Sequence, residues 1–192
     1  MFDLVESVPK IVKDAHARAS EANFHIYCNE LVGRLLAVLA ASVSEGGSIL
    51  EIGTGVGVGT AWIASGLSGN KRVRLITIEN KPERAAHSLN YNWPIPVSII
   101  TGDYMEYHDK LGKFDLIFAD AAAGKWSGLE LTIASLKSGG ILIVDDMAPP
   151  FHSQNEEVAK KRVEDRLFHH PELLSVKIDI AGGIIISTKT QE

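Results

Sequence analysis

The chain has a single cysteine, Cys28, among its 192 residues. No disulfide within the chain can brace the fold, which fits a reducing compartment. Long apolar runs are also missing. None approaches the ~20 residues that cross a bilayer as a helix, so a membrane is not an expected partner. The N-terminus, Met1-Phe2-Asp3-Leu4-Val5-Glu6, lacks the basic start and apolar core of a secretory signal. A cytoplasmic protein is therefore expected. Basic runs are short: Lys71-Arg72 with Arg74, and Lys160-Lys161-Arg162, in a chain of net charge −5. That balance disfavours nucleic acid and other large polyanions. Repeats, low-complexity stretches and linkers are absent too, which predicts one domain over residues 1–192. A domain of that size buries roughly 70% of its unfolded surface.

One further absence decides how to read the stretch from Ile49 to Thr60. Residues 48–52 form a short apolar run that reads as a buried strand. Glycines follow at 53, 55, 57 and 59, and after Thr60 a helical stripe of Trp62, Ile63 and Leu67 begins. Without Cβ atoms such a turn lets the backbone approach a ligand, and the helix start offers unpaired N–H groups. A dinucleotide fingerprint needs G-x-G-x-x-G. Counted from Gly53 its third glycine falls on Val58, and counted from Gly55 it falls on Thr60. Both registers fail. What stands instead is Glu51 followed by Gly53, Gly55 and Gly57. A ligand-free turn is the competing reading, and the entropy that four glycines lose on ordering counts against it.

The remaining pattern alternates helices and strands. Residues 7–19 read as a helix capped by Ser7 with Pro9 in its first turn, and residues 25–43 as a second with a broad leucine face. His16, His25 and Tyr27 are candidate ligand contacts there, with packing or surface roles as the alternative. Strands are predicted at 73–78, 97–101, 114–119 and 141–144. Helices are predicted at 81–92 and 127–136. Ser153 and Glu156 have the spacing of a capping box that starts a charged helix before Pro171. Two last strands, 174–180 and 184–188, flank Gly182-Gly183, a hairpin signal. The expected fold is α/β: a doubly wound, mostly parallel seven-stranded sheet with a C-terminal antiparallel hairpin.

Ligands of such sheets sit outside the carboxyl ends of the strands. Glu51, Glu79, Asp103, Asp120 and Asp145 all fall at or near those ends. Glu79 is placed to accept hydrogen bonds from both hydroxyls of a ribose, against the alternative of a helix-start acid. Asp103 is placed for an adenine amino group, with Tyr104 or Met105 against the ring, or is an ordinary turn aspartate.

Leu50-Glu51-Ile52-Gly53-Thr54-Gly55, Ile76-Thr77-Ile78-Glu79, Gly102-Asp103, residues 114–120 and residues 136–146 resemble, in that order, the motifs of class I S-adenosylmethionine (SAM) dependent methyltransferases. The chain is similar in particular to small O-methyltransferases of the catechol type. The resemblance implies a Rossmann-like methyltransferase fold and SAM as cofactor. It places the methionine half at Gly53, Thr54, Gly55 and Gly57 with Glu51 near the amino group. Glu79 and Asn80 would serve the ribose, with Gly102, Asp103 and Tyr104 near adenine and Asp120 at the cofactor's edge. It also implies a divalent metal such as Mg²⁺ on Asp120, Asp145 and Asp146, oxygen ligands of the right hardness. Two departures stand out. Asp146 occupies a position where the relatives have Asn, and Ala123 one where they have a base lysine. Lys125, two residues on, either reaches the same space or is solvated. With Asp120 it is the candidate catalytic group. Residues 1–45 would then cover the substrate side. The expected reaction is methyl transfer to a hydroxyl oxygen of a small molecule, aromatic ones included. A nitrogen or RNA-nucleoside acceptor and an inactive SAM-binding module are the alternatives, and a homodimer is left open.

Overall fold

The computed structural model describes residues 8–67, 72–151 and 153–190. The proposed Ser7 cap lies outside them. Seven strands form one sheet in the order β3-β2-β1-β4-β5-β7-β6: β1 Ser48–Ile52, β2 Arg74–Glu79, β3 Val97–Thr101, β4 Phe114–Ala119, β5 Leu136–Val144, β6 Leu173–Ile178 and β7 Ile184–Lys189. β1 to β5 pair in parallel, and β7 runs antiparallel between β5 and β6. The order reverses between β1 and β4, and ligands of such sheets bind outside the carboxyl ends of the strands at that switch point.

The period of two along each strand divides the core. Ile49, Leu75, Leu116, Phe118 and Ile143 face one cluster, while Leu50, Ile52, Ile76, Ile78, Ile117 and Leu142 face the other. The first cluster is covered by α1 Lys10–Glu21, α2 Glu30–Ser42 and α3 Val58–Gly66. Alongside run α4 Pro82–Leu89 and α5 Tyr104–Leu111, the latter on the second face with α7 Leu129–Ala134 and α8 Gln154–Phe168. Each fully buried Leu or Ile contributes roughly 1.5–3 kcal/mol. Glu51 lies on the α3 face because it alternates with Leu50 and Ile52.

α2 crosses α3 closely. A Cβ on Gly33 would strike the Trp62 indole, and one on Gly66 the Ala37 carbonyl. The glycines permit a contact that buries Trp62 to 1% exposure.

Differences from the pattern-based boundaries have local causes. α1 starts after Pro9, with no side-chain cap, and α2 starts only at Glu30, where the Asn29 side chain accepts from the Leu31 N–H. Residues 22–29 instead form the connection between them. β5 begins at Leu136, five residues early, because a register shift opposite Phe114 and Leu116 accommodates Gly139 and Gly140. A short helix, α6 Ala122–Lys125, precedes α7 and was not expected. Ser153 does cap α8, its hydroxyl accepting from the Glu156 N–H.

Candidate active site

The turn after β1 is bound to β2 by its own backbone. Gly53 and Thr54 N–H groups both donate to the Ile78 carbonyl, at 2.9 and 3.2 Å. Gly53, Gly55 and Gly57 have φ of +109°, +54° and +92°, values that L side chains rarely adopt. A Cβ on Gly55 would sit 3.0 Å from the Phe24 ring, and one on Gly57 2.5 Å from Ser88 Oγ. Glycine is thus required by backbone geometry and by close neighbours together. Arg18 reaches the same turn from α1, its Nε 3.5 Å from the Val56 carbonyl.

Glu79 straps the turn from the other side. One carboxylate oxygen accepts from the Gly55 N–H at 2.9 Å and the other from the Lys81 N–H at 3.0 Å. Each oxygen retains lone-pair capacity for a further donor. Asn80 is exposed beside it. The Gly102 N–H donates to the Glu79 carbonyl, which draws the end of β3 to the end of β2. Asp103 caps α5 through the Met105 N–H at 2.9 Å, so its turn role is real, and its side chain remains exposed. Tyr104 departs from expectation. It is 2% exposed and packed in the second core cluster, so Met105, 37% exposed, is the one of the pair that can lie against a ring.

Glu51 is 1% exposed. Its Oε2 accepts from the Thr60 hydroxyl and, at 2.6 Å, from the Thr77 hydroxyl, while Oε1 is buried without a partner. Thr54 Oγ1 joins this group 2.5 Å from Thr77 Oγ1. Burial pushes the Glu51 carboxyl up to about 7, opposed by the Thr60 and Thr77 hydrogen bonds. The carboxylate lies under the start of α3, against Gly59.

The third group lies at the ends of β4 and β5. Asp120 follows β4, and its N–H donates to the Ile52 carbonyl. Its carbonyl is 3.1 Å from where a Gly53 Cβ would be. Lys125, at the end of α6, is 4% exposed and points inward. Its Nζ donates to the Asp145 carbonyl at 3.0 Å and to Asp146 Oδ2 at 3.2 Å, and stands 3.7 Å from Asp120 Oδ1. The solvated alternative for Lys125 is thereby excluded. Burial holds the Asp120 carboxyl well above the usual carboxylate range, against the pull of Lys125. Burial, then the Asp146 charge, raises Asp145 to about 6. Asp146 takes a φ of +61°, tolerable for Asp, and its N–H donates to Asp145 Oδ1 at 2.8 Å.

Sequence reasoning missed the supports of this site. Thr77 interrupts the apolar run 75–78 of β2, in register with Glu51, and that pairing was a readable signal. Cys28 gave none. It is 5% exposed, and burial, then the charges of Asp120 and Asp145, pushes its thiol well up, while Phe24 of the same connection lies against Gly55.

Residues 50–147 match a family described as a methyltransferase domain. A Mycobacterium marinum protein named "Putative O-methyltransferase" is 32% identical over 170 residues, covering 82% of this chain and 75% of the relative. The chain belongs to the class I SAM-dependent O-methyltransferases. The methyltransferase also shares its fold with a solved "cofactor-bound Rv0187 from MTB", with TM-score 0.82, 23% identity and coverage of 96% and 92% of the two chains. An O-methyltransferase from Bacillus cereus in complex with SAH gives 0.79, 21%, 96% and 93%. Both likenesses extend over the whole seven-stranded sheet with its antiparallel β7 and show the shared fold. Among the described residues of the methyltransferase, no helix is long and apolar enough to cross a membrane.

Proposed function

We propose that this methyltransferase acts on a hydroxyl oxygen of a small molecule, with Asp120 and Lys125 at the reacting oxygen. The observation that carries this reading is the pairing of buried Lys125 with half-buried Asp120 beside the glycine turn. The turn is compatible with SAM: three positive-φ glycines and the Glu79 strap form a tight turn at the end of β1, and strand-end carboxylates suit a sulfonium cation. When bound, SAM supplies an electrophilic methyl whose bond to sulfur breaks, the electron pair staying on sulfur, as the new bond to oxygen forms.

The chain's part is alignment and proton handling. Glu79 accepts from the ribose hydroxyls, Asp103 and Met105 flank the adenine, and Glu51 sets a negative charge beneath the turn. Asp120 takes the hydroxyl proton, and its raised affinity for protons suits that task. Lys125, held between carboxylates, donates to the oxygen as negative charge grows. Trp126, 5.3 Å from Lys125 Nζ, with Phe151 and Tyr27, walls an aromatic acceptor, and the connection at 22–29 covers that side. The domain is read as one unit, with residues 1–45 serving the acceptor.

The three acids do not fit a divalent metal. Among the described residues no set of three His, Cys, Asp or Glu side chains is arranged to hold one, and a lysine ammonium stands among Asp120, Asp145 and Asp146. No step is routed through a metal.

Radiolabelled methyl transfer from SAM to a panel of phenols, alcohols, amines and nucleosides tests the reading. Hydroxyl compounds should be labelled, and labelling confined to amines or nucleosides would refute it. Glu79→Ala should weaken SAM binding by about 1–3 kcal/mol, the cost of an unpaired hydrogen bond, as read by calorimetry. Unchanged affinity would remove the ribose role.

A further inference from the structure

Ligands of a divalent ion converge on one centre, and about six to eight oxygens share it. In this chain the space between Asp120, Asp145 and Asp146 holds the chain's own ammonium. Lys125 Nζ lies 3.7 Å from Asp120 Oδ1, 3.2 Å from Asp146 Oδ2 and 3.0 Å from the Asp145 carbonyl oxygen. Burial of Lys125 to 4% exposure and of Asp145 to 2% makes each depend on the other's charge. Lys160 on α8, 5% exposed, adds a second positive charge acting on Asp145.

We propose that Lys125 is the resident cation of the acceptor site, so that the enzyme works without a divalent metal and takes acceptors through a single hydroxyl. The proposal rests on the O-methyl reading above. Donor arithmetic gives its second half. An ammonium has three N–H donors. Two are committed, to the Asp145 carbonyl and to Asp146 Oδ2. Asp120 Oδ1 at 3.7 Å is outside hydrogen-bond range, which leaves one donor for one oxygen. A metal with open coordination positions can grip two neighbouring hydroxyls at once, whereas a single N–H cannot. A vicinal diol therefore gains nothing over a lone hydroxyl.

Two measurements test this. In an electron paramagnetic resonance titration, Mn²⁺ added to the wild-type protein should remain free up to about 1 mM, the weak end of oxygen-ligand sites. Lys125→Met removes the ammonium and frees the carboxylates, and should bind Mn²⁺ at least tenfold more tightly. Adding Asp146→Ala to it should reverse the gain. Saturable Mn²⁺ binding by the wild type would overturn the proposal, as would a folded Lys125→Met protein with no gain. Circular dichroism checks that fold. If the variant does not fold, the wild-type titration decides alone. Separately, kcat/KM for a catechol and for the matching monophenol should agree within about threefold and be unchanged by EDTA. A hundredfold catechol preference, or inactivation by EDTA that Mg²⁺ reverses, would overturn it. If no hydroxyl compound is methylated, the O-methyl reading fails, while the Mn²⁺ titration still answers for the resident cation.

Discussion

Asp120→Asn is expected to lower kcat by about 10²–10⁴, the usual contribution of a positioned proton acceptor, while SAM affinity changes little. Asn keeps the shape and the backbone bond from the Asp120 N–H to Ile52, and it loses the capacity to take a proton together with the charge facing Lys125. The pH profile carries the sign. A carboxyl held above its ordinary range by burial is active only when deprotonated. Activity should therefore fall in acid at a higher pH than an ordinary carboxylate would give. In the variant this acid limb should vanish from the residual rate. A variant with wild-type kcat would remove Asp120 from the chemistry.

Glu51→Gln should have the largest effect on stability. In the folded chain the Glu51 carboxyl is raised to about 7 from an ordinary 4.5. Its folded value thus exceeds its unfolded one, and between those pH values the folded state holds more protons. Stability is unpenalised below the unfolded value, falls as pH rises from about 4.5 to about 7, and stays reduced above it. The full penalty is about 3 kcal/mol at pH 8. Gln cannot ionise, so the variant should melt several degrees higher at pH 8, at about 2–4 °C per kcal/mol, and close to wild type at pH 5. Equal shifts at both pH values would show that burial of charge is not the cause. On the proposed placement of the cofactor, the stabilised variant should also bind SAM less well, because it lacks the negative charge beneath the turn.

Most of the fold was legible because its signals are local. β1 and β4 were predictable from apolar runs ended by glycine or acid, since a strand buried on both faces needs no alternation. The start of α2 was less visible. Its leucine stripe continues a pattern that residues 25–29 only mimic, and the Asn29 cap decides where it begins. The candidate site divides in the same way. Glu79 was legible because it ends a strand, and Asp145 and Asp146 likewise. The inward turn of Lys125 was not, because it depends on α6, a four-residue helix too short to have a period. Tyr104 misled for a related reason: one position after a capping aspartate, the backbone turns the ring into the core.

The contact between Gly53 and Asp120 has a thermodynamic consequence. On the proposed assignment one wall serves both the cofactor turn and the acceptor site, with the Asp120 carbonyl 3.1 Å from the position of an absent Gly53 Cβ. A ligand that settles one side is then expected to restrict the other. Occupancies of the two sites are then linked, and linkage is reciprocal: whatever factor the acceptor gains from the cofactor, the cofactor gains from the acceptor.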